Sequence, residues 1–414
     1  MFNKFKRIIK NKDASALIEN FLSLSTLQLF SLILPLITLP YLLRVIGFEK
    51  YGTIVFSYSL IAYFTSVTDF SFRITATRDV AIFKNSPNKL NIIYSKVILI
   101  KTFFLLLSLL IIFLVVFFYP PFYENRLIYF YSSLLLVGYA LFPEWFFQGI
   151  EKMKYISVLN ISIKLFFTLM VFLFIKKPGD FWVYPLSQSL GYIFAGLVGQ
   201  YIMVRKYKVK FVPIKFKTLL SSVKSNIPIF INQFVPNIYN NTSTFFLGLM
   251  ANSATVGLYQ SILTVINILN ILLETVSRVF FPFLNRKKNF FTKYAKLMLV
   301  LTTLVVLLAF CFKWLIFFYL NIKDTSISTN VYNILLIGII GYSLYNIFGL
   351  NYFIVNRMDK LVMTNTLFFS IVGFCLSLIL IYNFSLIGAA VSLSTIRFLT
   401  GSNLLYKWIK LETR

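Results

Sequence analysis

Six basic side chains fall inside or close to long apolar runs of the sequence: Lys96, Lys101, Lys164, Arg278, Lys313 and Arg397. Holding a charge at bilayer depth costs roughly 2.5–3.5 kcal/mol on insertion scales, so such residues face a cavity or a partner rather than lipid. Lys96 and Lys313 sit near run ends, where a long side chain snorkels to the interface. Lys164 and Arg397 lie near the middle of their runs and Lys101 close to it. Cations at that depth suit an anionic group, held by charge-assisted hydrogen bonds.

Acidic residues at this depth are few. Asp69 with Arg73, and Glu274 with Arg278, are spaced i,i+4, so each pair is expected to share one helix face. Such a pair can neutralise itself at a helix end, or serve as an inner gate or a point of headgroup uptake. Glu144 is the third acid near a run; it can bind a coupling proton or cation, or cap a helix connection. The chain has no histidine, which excludes His-ligated metals, a histidine base and a Ser-His-Asp triad. Cys311 and Cys375 each lie in an apolar run and read as buried free thiols. No metal site, cofactor site or catalytic group stands out, and an enzyme is not expected. Asn and Gln side chains along the runs, from Gln28 and Asn160 to Asn270 and Asn346, can hydrogen-bond a polar cargo, although gluing helices together is their commoner role.

The elements that carry these residues follow from composition. Of 414 residues, 58% are hydrophobic and 19% aromatic, with a mean hydropathy of +0.81. That is more apolar surface than a water-soluble fold of this length can hide. At roughly 20 residues per crossing, the runs predict about twelve spans: 20–43, 52–72, 90–118, 126–149, 155–175, 181–204, 219–250, 254–282, 293–319, 330–354, 361–382 and 386–408. Pro35 and Pro40 interrupt the first, and a proline in a lipid-buried helix frees carbonyls that other helices or a wet cavity must satisfy. A short turn is expected at Gly47–Gly52. The two longest runs, 219–250 and 254–282, should tilt, kink or project beyond the bilayer.

Net charge is +27, but the cations fall mostly in short loops. They read as topology signals and as contacts to anionic membrane lipid, not as a nucleic-acid surface. Only Arg44, Lys50, Arg126, Lys176, Lys177 and Lys323 lie in loops of the poorer side, which predicts an even number of spans with both termini cytoplasmic. Residues 1–19, with Lys4, Lys6, Arg7, Lys10 and Lys12 among Phe and Ile, read as a basic amphipathic segment on the cytoplasmic face rather than a cleavable signal.

The halves match at a constant offset of 205 residues: Gly52 with Gly257, Asp69 with Glu274, Arg73 with Arg278, Met153 with Met358, Gly196 with Gly401. This predicts an internal duplication. The expected fold is an all-α polytopic membrane protein of about twelve transmembrane helices in two six-helix lobes related by pseudo-two-fold symmetry, residues 1–204 and 219–414, joined by a basic cytoplasmic linker at 205–218. Such parallel repeats place cargo between the lobes and alternate access by rocking.

The segment PLITLPYLLRVIGFEKYG (35–52) resembles the first hairpin of the O-antigen and polysaccharide flippases (Wzx type), within the multidrug/oligosaccharidyl-lipid/polysaccharide exporter superfamily. Glu144-Trp145-Phe146-Phe147-Gln148-Gly149-Ile150-Glu151-Lys152-Met153 resembles the family's fourth-span ending. Asn226-Ile227-Pro228, Val256-Gly257-Leu258-Tyr259 and Phe281-Pro282-Phe283-Leu284 are similar to second-half signatures. Ser71 departs from the pattern, where DFGF is commoner than the DFSF found here. The resemblance implies outward movement of an undecaprenyl-pyrophosphate-linked oligosaccharide across the bacterial inner membrane. It also implies a polysaccharide polymerase downstream, while Asp69, Glu144 and Glu274 suggest a proton or sodium ion as coupling ion. The charges then take roles: Lys164, Arg397, Lys101, Arg73 and Arg278 toward the anionic headgroup, and Asp69, Glu274 and Glu144 in coupling or gating. An ion-coupled drug or metabolite antiporter of the same superfamily is the alternative, but cationic drugs favour an acidic cavity and bases outnumber acids in these spans. A membrane-embedded polymerase would need a large loop with reactive groups, and no loop is long enough.

Overall fold

The computed structural model describes residues 12–412, with side chains except at 12–18, 21 and 238–240. The basic segment at 1–19 therefore lies outside the described residues as far as position 11, and of its side chains only Glu19 is described. Within them there is no strand, and every apolar interval expected to cross the bilayer falls on helix, with local breaks. Eight helical stretches among the described residues are long and apolar enough to cross a membrane by length and composition; the chain is a multi-pass membrane protein.

The first helix, α1 (Lys12–Val45), runs through Pro35 and Pro40. Only Ile46 separates it from α2 (Gly47–Asp69). The six-residue turn expected there is absent. Gly47 has φ of +72°, a left-handed conformation that costs glycine little, so the helix is interrupted there at once and residues 48–52 are free to be helical. Phe70 and Ser71 follow with φ of 44° and 60° before α3 (Phe72–Phe83). After α4 (Pro87–Phe118) come α5 (Arg126–Leu141) and α6 (Glu144–Gly149), split at Pro143. The next three are α7 (Met153–Phe174), α8 (Val183–Arg205) and α9 (Phe216–Met250). Then follow α10 (Ser253–Arg286), α11 (Phe291–Cys311), α12 (Lys313–Tyr319) and α13 (Ser326–Leu344). The last of these continues as π-helical turns over Tyr345–Ile354. Helix α14 (Asp359–Glu412) breaks at Ser385, and Asn365 donates to the Thr400 carbonyl at 3.2 Å, so its two arms return antiparallel. Both cysteines are free, as expected, but exposed on the outer surface of the helices rather than buried.

Packing divides the chain into two compact units, Met1–Ile46 with Leu60–Gln233 and Gly47–Ser59 with Phe234–Arg414. In lipid there is no water for apolar groups to escape, so close approach and interhelical hydrogen bonds hold the helices together. In the first unit α8 lies so near α5 that a Cβ on Gly138 would come within 2.5 Å of Tyr192 Cβ. Gln200 and Ser189 donate to the Leu141 and Tyr131 carbonyls at 2.6 and 2.7 Å. Trp145, Phe146 and Phe147 are buried in the core, where Phe70 stacks on Phe104 and Phe230. Gly149 abuts Val80, and Thr77 donates to the Trp145 carbonyl at 3.2 Å. The conspicuous WFFQG segment is thus a packing device that docks α6 on α3. The linker runs along α4, its Lys210 and Val212 amides donating to Asn91 Oδ1 at 2.8 Å and Ser95 Oγ at 2.7 Å.

In the second unit the first turns of α2 cross the first turns of α10 at two glycines. A Cβ on Gly52 would sit 1.7 Å from the Ser253 carbonyl oxygen, and one on Gly257 would sit 2.0 Å from that of Phe48. Gly52 and Gly257, and Phe48 and Ser253, are both related by the 205-residue offset, so the contact is reciprocal.

Candidate functional site

The structure sorts the six cations into two groups. Four are committed to carboxylates. Lys101, 3% exposed, reaches Asp69 Oδ1 at 3.0 Å and the Tyr139 carbonyl at 3.3 Å. Lys96 faces Asp79 at 3.8 Å, Arg278 faces Glu274 at 2.5 Å, and Lys313 faces Asp324 at 3.1 Å. Each pair lowers the cost of its cation at membrane depth. Lys96 and Lys313 are therefore tied to acids rather than simply snorkelling. Asp324 lies in the loop before α13, where the Thr329 hydroxyl and then the Lys313 ammonium hold its carboxyl below the usual carboxylate range.

The expected i,i+4 pairing holds for Glu274 and Arg278 on α10 but fails for Asp69 and Arg73. Helix α2 ends at Asp69, and the left-handed pair Phe70 and Ser71 turns the chain before α3 starts. Asp69 accepts instead from Lys101 and from the Arg73 backbone amide at 3.4 Å. The Arg73 side chain points to Glu144 at 3.8 Å, with both groups partly exposed. Ser71 has φ of 60°, a left-handed conformation that a glycine would adopt at less cost.

Lys164 and Arg397 are different: neither has a carboxylate within 4.0 Å among the described residues. Lys164, half-buried midway along α7, opens into a cavity of about 140 Å³ between α1, α7 and α8. Its lining includes Pro35, Thr38, Thr168, Tyr184 and Gln188. Thr168 Oγ1 is buried there without a partner. A cavity with a cation and several hydroxyls is polar and roomy enough to be wet, and Pro35 stands at its wall, as a proline in a membrane helix requires. Tyr192 also lines it, and its ring packs 4.5 Å from that of Tyr139, whose carbonyl holds Lys101. Lys164 thus stands one aromatic pair away from the Asp69–Lys101 bridge.

Arg397, also half-buried, lies on the second arm of α14. Its guanidinium carbon is 5.6 Å from the Tyr342 ring centre, and Nη2 donates to Asn267 Oδ1 at 3.4 Å. Nη1 is buried with no hydrogen-bond partner. An arginine has five N–H donors in a rigid fork and no acceptor, so this group can donate to an anionic or carbonyl oxygen. Tyr342 donates on to Glu274 at 3.1 Å, linking Arg397 to the Glu274–Arg278 pair. Nearby in the fold the π-helical turns carry Asn346 and Asn351, both buried. Asn351 donates to Ser277 Oγ and Tyr294 Oη at 2.5 and 2.6 Å. Asn267 is one of the span-face amides read from sequence as able to bond a cargo; Tyr139, Tyr192 and Tyr342 were not singled out for the site. The three tyrosines carried no local signal, since each lies on an apolar helix with no charged residue within one turn.

Long apolar helices carrying isolated polar pockets define the class: a helical, multi-pass membrane protein. The inward closed conformation of the lipid II flippase MurJ superposes with a TM-score of 0.74 over 92% of this chain and 86% of that one, at 16% identity. The inward-facing conformation of a MATE family multidrug transporter of the MOP superfamily gives 0.59 over 92% and 95%, at 11% identity. The chain belongs to the family described as "Polysaccharide biosynthesis protein", whose model matches residues 17–288. A protein of Escherichia coli (strain K12) named "Putative O-antigen transporter" is 25% identical over 272 residues, 66% of each chain. One of the same name from Shigella dysenteriae is 22% identical over 243 residues, 59% of this chain and 61% of that one. The matched region thus spans just under two thirds of these relatives' length.

Proposed function

We propose that this chain is a flippase that carries an undecaprenyl-pyrophosphate-linked oligosaccharide from the cytoplasmic to the periplasmic leaflet of a bacterial inner membrane by alternating access. The observation that carries the reading is the sorting of the cations: Lys164 and Arg397 lie near mid-span and, among the described residues, have no acid partner. A membrane protein tolerates an unneutralised charge at that depth when something else supplies the counter-charge. A pyrophosphate does so in the loaded protein. Arg397, with its free Nη1, bonds a phosphoryl oxygen bidentately with the rest of its fork. Lys164 acts as a mobile point charge in a wet pocket whose hydroxyls and amide also suit sugar hydroxyls.

Lys101, Arg73 and Arg278 act through their acids in this scheme. Asp69, Glu144 and Glu274 each face a cation, and protonation or sodium binding at any of them releases that cation. The pairs are therefore the candidate coupling and gating elements, with the coupling ion acting on the acid rather than on the cargo. Names of relatives support the cargo class, and a surplus of bases at membrane depth favours an anionic cargo over the cationic drugs of an antiporter. Downstream, a polysaccharide polymerase would consume the exported unit.

The test is complementation of a strain lacking its flippase. Lys164→Asp and Arg397→Asp, at normal membrane levels, should abolish surface polysaccharide. Full complementation by both variants overturns the headgroup role.

A further inference from the structure

We propose that the groove between the last turns of α4 and the first turns of α5 holds one acyl chain of an anionic phospholipid, with Arg126 at its rim on the phosphate. The groove encloses about 460 Å³ and is almost wholly apolar, within the ~300–1,000 Å³ typical of sites that engulf a small ligand. Its floor is buried Ile112, Val116 and Tyr129; exposed Phe113, Phe117 and Phe130 form its walls. The outward faces of neighbouring helices carry exposed apolar side chains too, but here they enclose a trough.

Its length identifies the occupant. The lining runs from Leu109 to Phe117 on α4 and from Arg126 to Leu134 on α5, about 12 Å along each helix at 1.5 Å per residue. That is close to half of a hydrocarbon core about 30 Å thick. The trough therefore starts at the membrane interface, descends through one leaflet and stops. One acyl chain of a phospholipid in that leaflet fits it, whereas a long polyprenyl chain overruns it.

Charge supplies the second half. Arg126 opens α5, stacks 4.7 Å over the Tyr123 ring and donates Nη1 to the Tyr123 carbonyl at 3.4 Å. Glu124 lies close in sequence, but among the described residues Arg126 has no carboxylate within 4.0 Å. Held flat on an interfacial tyrosine at a helix N-terminus, its remaining N–H groups are set for a phosphate oxygen. This site is remote in kind from the pockets of Lys164 and Arg397 and does not depend on the cargo assigned to them.

Native mass spectrometry of the full-length protein, with phosphatidylglycerol and phosphatidylcholine of matched chains as probes, tests this. The wild type should retain phosphatidylglycerol in preference to phosphatidylcholine. Arg126→Gln should weaken phosphatidylglycerol retention about fivefold, the worth of one basic residue at an anionic lipid surface, and leave phosphatidylcholine unchanged. Leu109→Trp, which fills the trough, should lower retention of both; Leu127→Trp serves where the first variant unfolds. An unchanged lipid preference in Arg126→Gln, unchanged retention in both filled variants, or displacement of phosphatidylglycerol by equimolar polyprenyl phosphate would each overturn the proposal.

Discussion

Lys101→Met and Lys164→Met each remove one positive charge from a helix of the first unit, and they should have opposite consequences. Lys101 is 3% exposed and bridges Asp69 at 3.0 Å. Removing one member of a buried pair costs about 3–5 kcal/mol, because the other is left uncompensated. In Lys101→Met the stranded group is Asp69, which is 30% exposed and keeps the Arg73 amide, so a loss near the lower end, about 3 kcal/mol, is expected. In Asp69→Asn the stranded group is the more deeply buried lysine, and the loss should approach about 5 kcal/mol. The double variant should regain most of either loss. Lys164 has no acid to strand, so Lys164→Met should leave stability unchanged or higher while transport fails. Heating the purified proteins in detergent and following the folded fraction gives the order: Lys164→Met at or above wild type, then the double variant, then Lys101→Met, then Asp69→Asn. If Lys164→Met destabilises as much as Lys101→Met, the distinction between paired and unpaired cations is wrong.

Other outcomes follow from the same geometry. Arg397→Gln should abolish export, and Arg397→Lys should restore only part of it, because an ammonium keeps the charge but not the fork; polysaccharide yield in the complemented strain reads both. Gly52→Val and Gly257→Val should each prevent stable expression, since a Cβ at either position falls within 2.0 Å of a backbone oxygen; protein recovered from membranes measures this. Ser71→Gly should stabilise the protein by about 0.5–1 kcal/mol, relieving a left-handed serine at some cost in unfolded-chain entropy, as read by the same heating assay. Asp324 has its folded-state carboxyl held low, so its contribution is present above the ordinary carboxylate range and is lost as pH falls through the lowered value. Stability should therefore drop on acidification in the wild type and lose that component in Asp324→Asn, as thermal scans from neutral to acidic pH will show.

The helices were readable because apolar runs must be long enough to cross lipid, and little else competes with that requirement. The break at Ser385 was legible for the same reason, as a dip between two runs. The pairings were not. Asp69 and Arg73 satisfy the helical spacing rule, but the rule assumes continuous helix, and Phe70 and Ser71 break it. The departure at Ser71 from a glycine-rich pattern was the available signal, since glycine there marks a left-handed residue. The Lys101–Asp69 and Arg73–Glu144 contacts join residues far apart in sequence, and no local pattern encodes such distances. Mid-span position did separate Lys164, Arg397 and Lys101 from Lys96 and Lys313 near the run ends. It could not separate Lys101 from Lys164 and Arg397, because a buried charge with a partner and one without look alike until the partner is seen.

The most direct measurement is flipping itself. Full-length protein in proteoliposomes, given a lipid-linked oligosaccharide with a pyrophosphate bridge, should move it between leaflets, and Lys164→Met with Arg397→Gln should not, although the protein remains folded. Equal flipping by wild type and the doubly neutralised protein would contradict the claim that these two unpaired cations carry an anionic cargo.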